Sequence, residues 1–400
     1  MSGIVLSTSV RQNLLSLQST AALLATTQND LATGLKVNSA LDNPTNFFTA
    51  QGLNNRANDI GNLLDSIGNG VQVLQAANTG LTSLQKLVDT AKSIANQVLQ
   101  APTGYSTLAS ATTTVGAVGS STDLTGGGTT SLQGKTVTFT PATGPALTLT
   151  FSNVTGAGNV NSLDALNSDL AAAGIGLAAT ISSTGFLTFT SSNDAASQTI
   201  TTTGTAAANT VSITGTTAAG GVVAPVADPA SQATRANLVS QYNNIIAQIT
   251  TTAQDASFNG INLLNGDNLK LTFNETGKST LSITGVSYNA TGLGLNALVA
   301  GTDFKDNNSA NKVLTAIGAA SALLRTEAST LGSNLSIVQI RQDFSKNLIN
   351  VLQTGSANLT LADTNEEAAN SQALATRQSI AVSALALANQ SQQSVLQLLR

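Results

Sequence analysis

The side chains that usually carry chemistry are nearly missing from this 400-residue chain. It has no His and no Cys, and its only glutamates are Glu275, Glu327, Glu366 and Glu367. An imidazole or thiolate metal site cannot be built from it, and no carboxylate pair stands at a spacing that suggests general acid–base work. The glycine run Gly126–Gly128 lacks the Lys and the strand–turn–helix context of a phosphate loop, and reads as linker. These gaps argue against an enzyme and give no cofactor or metal to expect. What can still act is an array of aliphatic and amide side chains at heptad spacing, and its chemistry is association.

That array is clearest toward the end of the chain. Leu374, Gln378, Ala381, Leu385, Ala388, Gln392, Val395 and Leu399 step by four and three, a coiled-coil seam. A chain end usually frays because little is buried there, so a seam in that place expects a partner. Its Gln and Ala positions leave the isolated helix weak, as in a segment that folds on meeting other helices. A matching row stands near the start: Val10, Leu14, Leu17, Ala21, Leu24, Gln28, Leu31 and Leu35. Ser7, Thr8 and Ser9 offer N-cap oxygens, and Gly34 falls near the stop. Either helix alone could be an ordinary amphipathic surface helix; the two together favour assembly.

The surface that goes with these seams is unusual. Charged residues make up 9% of the chain, against roughly 25% in typical soluble domains. A net charge of −4 and a pI near 4.8 disfavour nucleic acid. The first fifteen residues, MSGIVLSTSVRQNLL, lack a secretory signal's charged region and long apolar core. No run of about 18 apolar residues exists to insert in a membrane. Export, where it occurs, uses another route.

Between the two terminal rows lie further helices and one change of style. Lys36–Phe48 is a polar connector, with Pro44 set to open a helix and Phe47 and Phe48 anchoring it or starting the next core. Leu53–Val98 reads as one helix on the order of 70 Å long. Its seam is Leu53, Ala57, Ile60, Leu64, Ile67, Val71, Leu74, Ala77, Leu81, Leu84, Val88, Ala91, Ala95 and Val98, with one stammer at Val71–Leu74–Ala77. Gly61, Gly68, Gly70 and Gly80 each cost about 1 kcal/mol there relative to Ala. From Ala101 to Pro229 the chain turns to Thr, Gly, Ala and Ser. Strands are expected at Thr136–Thr140, Leu147–Phe151, Gly176–Ile181 and Gly185–Thr190, a capped helix at Asn161–Ala173, and a Thr-rich tail at Thr199–Thr217. Helix resumes at Ser231–Asp255, with Leu238, Tyr242, Ile245, Ile246 and Ile249 on one face. Phe258–Leu264 reads as turn plus strand, and Leu269–Phe273 with Ser279–Ile283 as a hairpin. Asn311–Gly355 is a second long helix (Leu324, Leu331, Leu335, Val338, then Phe344, Leu348, Val351), and Gly355–Glu367 a polar connector.

Three stretches carry a family resemblance. LATGLKVNSALDNPTNFF (Leu31–Phe48), FNGINLL (Phe258–Leu264) and ANQSQQSVLQLLR (Ala388–Arg400) resemble landmarks of bacterial flagellin, in that order, over roughly Met1–Gln100 and Ser231–Arg400. Asp42-Asn43-Pro44 departs from the usual Asp-Asp-Ala, and the insertion precedes the FNG stretch rather than following its hairpin. This style is similar to flagellins of α-proteobacteria. Asn161–Ser192 looks like the small module inside many flagellins.

The resemblance implies a mainly α fold. Its core is a long antiparallel helical coiled coil from both chain ends, with a β-hairpin region and a small inserted α+β module. By this reading 1–40 is an inner-core helix pairing with 360–400, and 41–100 is the long outer-core helix. Residues 101–229 are the solvent-facing insertion, 230–300 an outer-core helix plus hairpin, and 301–359 the long C-terminal outer helix. Val10, Leu14, Leu17, Leu24, Leu31, Leu35, Leu374, Ala381, Leu385, Ala388, Val395 and Leu399 would form the polymerisation seam. Ile60, Leu64, Ile67, Val71, Leu74, Leu81, Leu84 and Val88 would form the outer-core seam. Partners implied are further copies in a helical filament, an export chaperone, the cap and hook-junction proteins, with the filament outside the cell. A hook–filament junction protein shares the N-terminal pattern, but the full C-terminal ending and FNG stand against it. A secreted adhesin or fibre accounts for the Thr/Gly-rich middle but not for the matched ends.

Overall fold

A computed structural model describes residues 8–112, 120–126, 132–139, 146–154, 156, 158–183, 185–197 and 222–398. In chain order these form α1 (Thr8–Thr33), α2 (Pro44–Gln100), β1 (Tyr105–Thr107), β2 (Ser110–Thr112), β3 (Thr136–Phe139), β4 (Leu147–Phe151), β5 (Asn159–Val160) and α3 (Leu163–Ala172). There follow β6 (Leu177–Ile181), β7 (Leu187–Ser191), β8 (Val222–Val223), β9 (Val226–Ala227) and α4 (Pro229–Asp255). Last come β10 (Asn268–Thr272), β11 (Thr280–Thr284), α5 (Asn307–Thr360) and α6 (Thr364–Leu398). The fold is mainly helical, with a strand-rich insertion, as the sequence implies. Two compact units result: one takes in residues up to Val71, Lys270–Ser282 and those from Ser336 on, the other Gln72–Leu269 and Ile283–Leu335.

In the first unit α1 stops because Gly34 turns to a positive φ of 71°, a conformation that costs Gly nothing. α1 then runs antiparallel to α6, as the backbone bonds at one end and the shared groove of Asn13, Ser16, Thr20, Arg377, Ile380 and Ala381 further along both require. The turn after α1 is fixed by Asp42, whose carboxylate takes the N–H groups of Ser39 and Asn38 and is held below the usual carboxylate range by those bonds. Asn43 caps α2 through the Asn46 N–H at 3.0 Å, with Pro44 next in line. Phe47 and Phe48 therefore belong to the first turns of α2, edge to face at 5.5 Å, with Phe48 exposed.

Ala57 and Ile60 of α2 pack on Leu352 of α5, flanked by Leu53, Leu348 and Ile349. Two sequence expectations change here. Phe344 and Val351 face outward, and Ser345, Leu352 and Ser356 face in. Helical structure also runs through the expected connector to Thr360, leaving only Leu361–Asp363 as a break. One cause serves for both: the small Ser356 donates to Ala50 O at 3.2 Å and Gly355 lies against Leu53, so α5 stays packed where its polarity suggests loop. Asp363 then caps α6 at the Asn365 N–H.

The second unit carries the insertion. Its core gathers Val137, Phe139, Leu149, Phe151, Leu166, Leu170, Leu187 and Phe189, with Phe139 and Phe189 edge to face at 5.1 Å. One sheet has the strand order β6-β7-β2-β8 and another β3-β4-β5. Strict alternation sends Thr to the opposite faces, where Thr112 meets Thr188 at 3.0 Å and Thr138 meets Thr148 at 2.9 Å. Ser162 caps α3, and the Asn167 amide clasps both backbone groups of Ala179. The expected tail 199–217 and Gly127–Gly128 lie outside the described residues. Phe258–Leu264 holds no strand: Asn259 and Gly260 both take positive φ in a two-residue turn closed by Phe258 and Ile261. Asn262 is buried instead as a cap, donating to Ala253 O and Gln254 O at the end of α4.

Not all the helical glycines are alike. A Cβ on Gly80 would stand 2.6 Å from Ala256 Cβ and 2.7 Å from Leu264 Cδ1, whereas nothing lies within 4 Å of one on Gly61. Gly61→Ala is therefore expected to stabilise the monomer by up to about 1 kcal/mol. Gly80→Ala is expected to destabilise it, because backbone-anchored neighbours must move. Urea titration of the two variants side by side checks the opposite signs.

Candidate assembly surfaces

α6 turns the heptad row toward α1. Leu374, Gln378, Ala381, Leu385 and Ala388 are each half-buried, with exposed residues between them. The side chain of Val395 and all of Leu399 lie outside the described residues. On α1 the row is split. Val10 is buried and Leu17, Ala21, Leu24 and Leu35 are half-buried, while Leu14 and Leu31 each remain 39% exposed. The rest of the inward face belongs to Asn13, Thr20, Thr27 and Asp30. Asp30 is held by the Asn38 amide at 3.0 Å.

Only two helices enclose this seam, so none of the described α6 side chains on it reaches full burial. Further apolar side chains stay exposed outside the heptad row: Leu15 and Leu23 on α1, and Ile380, Val382 and Leu387 on α6, the last 69% exposed. They escape a single-heptad reading. Their signal is a second column, since Ile380 and Leu387 stand one heptad apart. No Lys, Arg, Asp or Glu lies between Arg11 and Asp30 or between Arg377 and Leu399. The pair thus offers an apolar surface on two sides with almost no charge to desolvate.

The outer-core row behaves differently. Ile60, Ile67 and Val71 are buried within the first unit, and Leu64 beside them is half-buried. Leu74, Leu81, Leu84 and Val88 are buried within the second. In the second unit Tyr242 of α4 packs edge to face on Phe304 at 5.9 Å, and burial pushes its hydroxyl up to about 12. The Tyr288 hydroxyl donates to Glu327 Oε2 at 2.9 Å and is raised by burial and by that carboxylate. Such groups hold a scaffold; they are not poised for proton transfer near neutrality. Among the described residues no cluster of metal-ligating side chains occurs and no helix is long and apolar enough to cross a membrane.

On α5 of the first unit Ile337, Ile340, Phe344 and Val351 form an exposed apolar stripe, a surface that could meet another molecule.

Residues 6–134 match the bacterial flagellin N-terminal helical region, and residues 314–399 the bacterial flagellin C-terminal helical region. Flagellin FljM of Caulobacter vibrioides is 33% identical over 165 residues, covering 41% of this chain and 59% of that protein. A flagellin of Brucella melitensis is 30% identical over 182 residues, 43% of this chain and 64% of the relative. Flagellin A of Rhizobium meliloti is 34% identical over 88 residues, 22% of each. The chain thus spans under two thirds of the length of these relatives.

Proposed function

Because the chain belongs to the bacterial flagellin family, we propose that it is a structural subunit that polymerises with its own copies into an extracellular flagellar filament. The observation that carries this reading is the half-enclosed α1–α6 pair, with no Lys, Arg, Asp or Glu between Arg11 and Asp30 or between Arg377 and Leu399. What supports it is that Leu374, Ala381, Leu385 and Ala388 of α6 and Leu17 and Leu24 of α1 are only half-buried, while further apolar side chains of both helices stay exposed. Copies meeting there would remove apolar area from water at about 25 cal/mol per Å². A head-to-tail contact that does not close gives an open helix. The weakness of the Gln- and Ala-containing seam suits a chain exported with these segments unfolded and ordered only on assembly. An export chaperone, a cap and hook-junction proteins complete the proposed partners.

The test is electron microscopy of purified monomer with and without short filament seeds. Long uniform filaments support the reading, and stubs or decorated seed ends would point to a junction protein. A chain lacking 110–223 but keeping β1, β9 and Asp228 is expected to extend seeds, since it retains both seams and the cap of α4. Failure of that shortened chain to extend would place the insertion within the assembly contacts.

A further inference from the structure

We infer that the inserted module is latched in one orientation to the end of α2, to α4 and to the start of α5, and that Arg235 is the positioning residue of the latch. Arg235 lies in α4 and is 2% exposed. Arginine is seldom buried so fully without partners to match. Here Nε donates to Pro102 O at 3.0 Å, Nη1 to Phe304 O at 2.9 Å, and Nη2 to Asn307 Oδ1 at 3.3 Å and Ala101 O at 3.5 Å. One guanidinium therefore joins the end of α2, the body of α4 and the start of α5. A planar fork with five donors can do this; a lysine ammonium, with three donors at one point, cannot reach the same set.

The module is fastened around that point from three sides. Its first strand pairs with its last, β1 with β9. Beside them Gly104 O accepts the Gln232 side chain at 2.7 Å and the Asp228 N–H at 3.0 Å. Asp228 caps α4 through Ser231. The third attachment comes from far along the module, at its 3-10 turn Asn193–Ala195 and the residues just after it. Ser197 Oγ donates to Asp306 Oδ2 at 2.5 Å, and Asn307 Nδ2 donates to Asp194 Oδ1 at 3.1 Å. Asp306 is itself 4% exposed, and Asn307 also accepts from Arg235. Two covalent connections alone would leave the module free to swing. The third attachment, resting on the residues that Arg235 holds, removes that freedom.

The native chain has no Cys, so spin labels on introduced cysteines report on chosen sites only. We would place them at Val154→Cys in the module and Asp89→Cys on α2, both exposed, and measure their separation in the monomer by pulsed dipolar spectroscopy. A single narrow distribution is expected for the otherwise native chain. An Asp194→Ala/Ser197→Ala double variant is expected to broaden it at least twofold with the helical circular dichroism unchanged. Arg235→Met is expected to broaden it further and Arg235→Lys less. Should Arg235→Met lose its helical signal, the double variant decides. A broad distribution in the native background, or a narrow one in the double variant, overturns the latch. The measurement uses monomer, so it stands or falls apart from polymerisation.

Discussion

A Leu385→Asp chain is expected to form no filaments under conditions where the native chain extends seeds, while keeping its long-helix scaffold. Leu385 is half-buried at the α1–α6 seam, and no charged residue lies near it on α6 after Arg377. A carboxylate there would put a charge into the half-buried seam, at a cost of several kcal/mol once further copies close over it. In the monomer the same carboxylate can still reach water, so α2, α4 and α5 should hold. Seeded growth followed by light scattering, with circular dichroism on the unassembled chain, separates the two effects. Normal filaments from this variant would remove the seam from the assembly mechanism.

Leu84→Ala should act the other way round. Leu84 is fully buried in the second unit, and large-to-small changes at such sites cost about 2–5 kcal/mol through lost transfer energy and the cavity left behind. A urea midpoint falling by that equivalent, with seeded growth recovering when the monomer is kept folded, is the expected result. Leu387→Ala is the control, since Leu387 is largely exposed in the single chain. It should leave the midpoint where it was and slow filament growth. If Leu84→Ala left the midpoint unmoved, the outer-core row would not be the scaffold described above.

Much of this was legible in the sequence where one pattern runs long. The α2 row holds through its stammer because Val71, Leu74 and Ala77 are all buried, so the helix accommodates the extra three-residue step with its apolar face still packed. On α6 the row from Leu374 to Ala388 is half-buried at every step, with exposed residues between. On α1 the row is split, because a helix carrying leucines on more than one side has no unique heptad. Leu14 fits the spacing as well as Thr20 does, and only the partner helix decides between them. β1, β2, β8 and β9 have two or three residues each, too few for alternation to register. Arg235 does carry a sequence signal: it sits three residues before Leu238 and seven before Tyr242, a lone cation on the buried face of α4. A charge in such a row has to be satisfied by something that burial brings to it.

The junction after α1 has a mechanical consequence. The chain leaves α1 at Gly34 and enters α6 after Asp363, and the two breaks are cross-bonded: Lys36 and Val37 N–H to Thr360 O, Ala362 N–H to Gly34 O, and Leu35 bridged to Leu361. These bonds lie across two antiparallel strands of chain, so a pull along the helix axis loads them in shear and together rather than one by one. A load carried by the α1–α6 pair would pass through both breaks as through a single joint. Slack in either would be felt at once by the other.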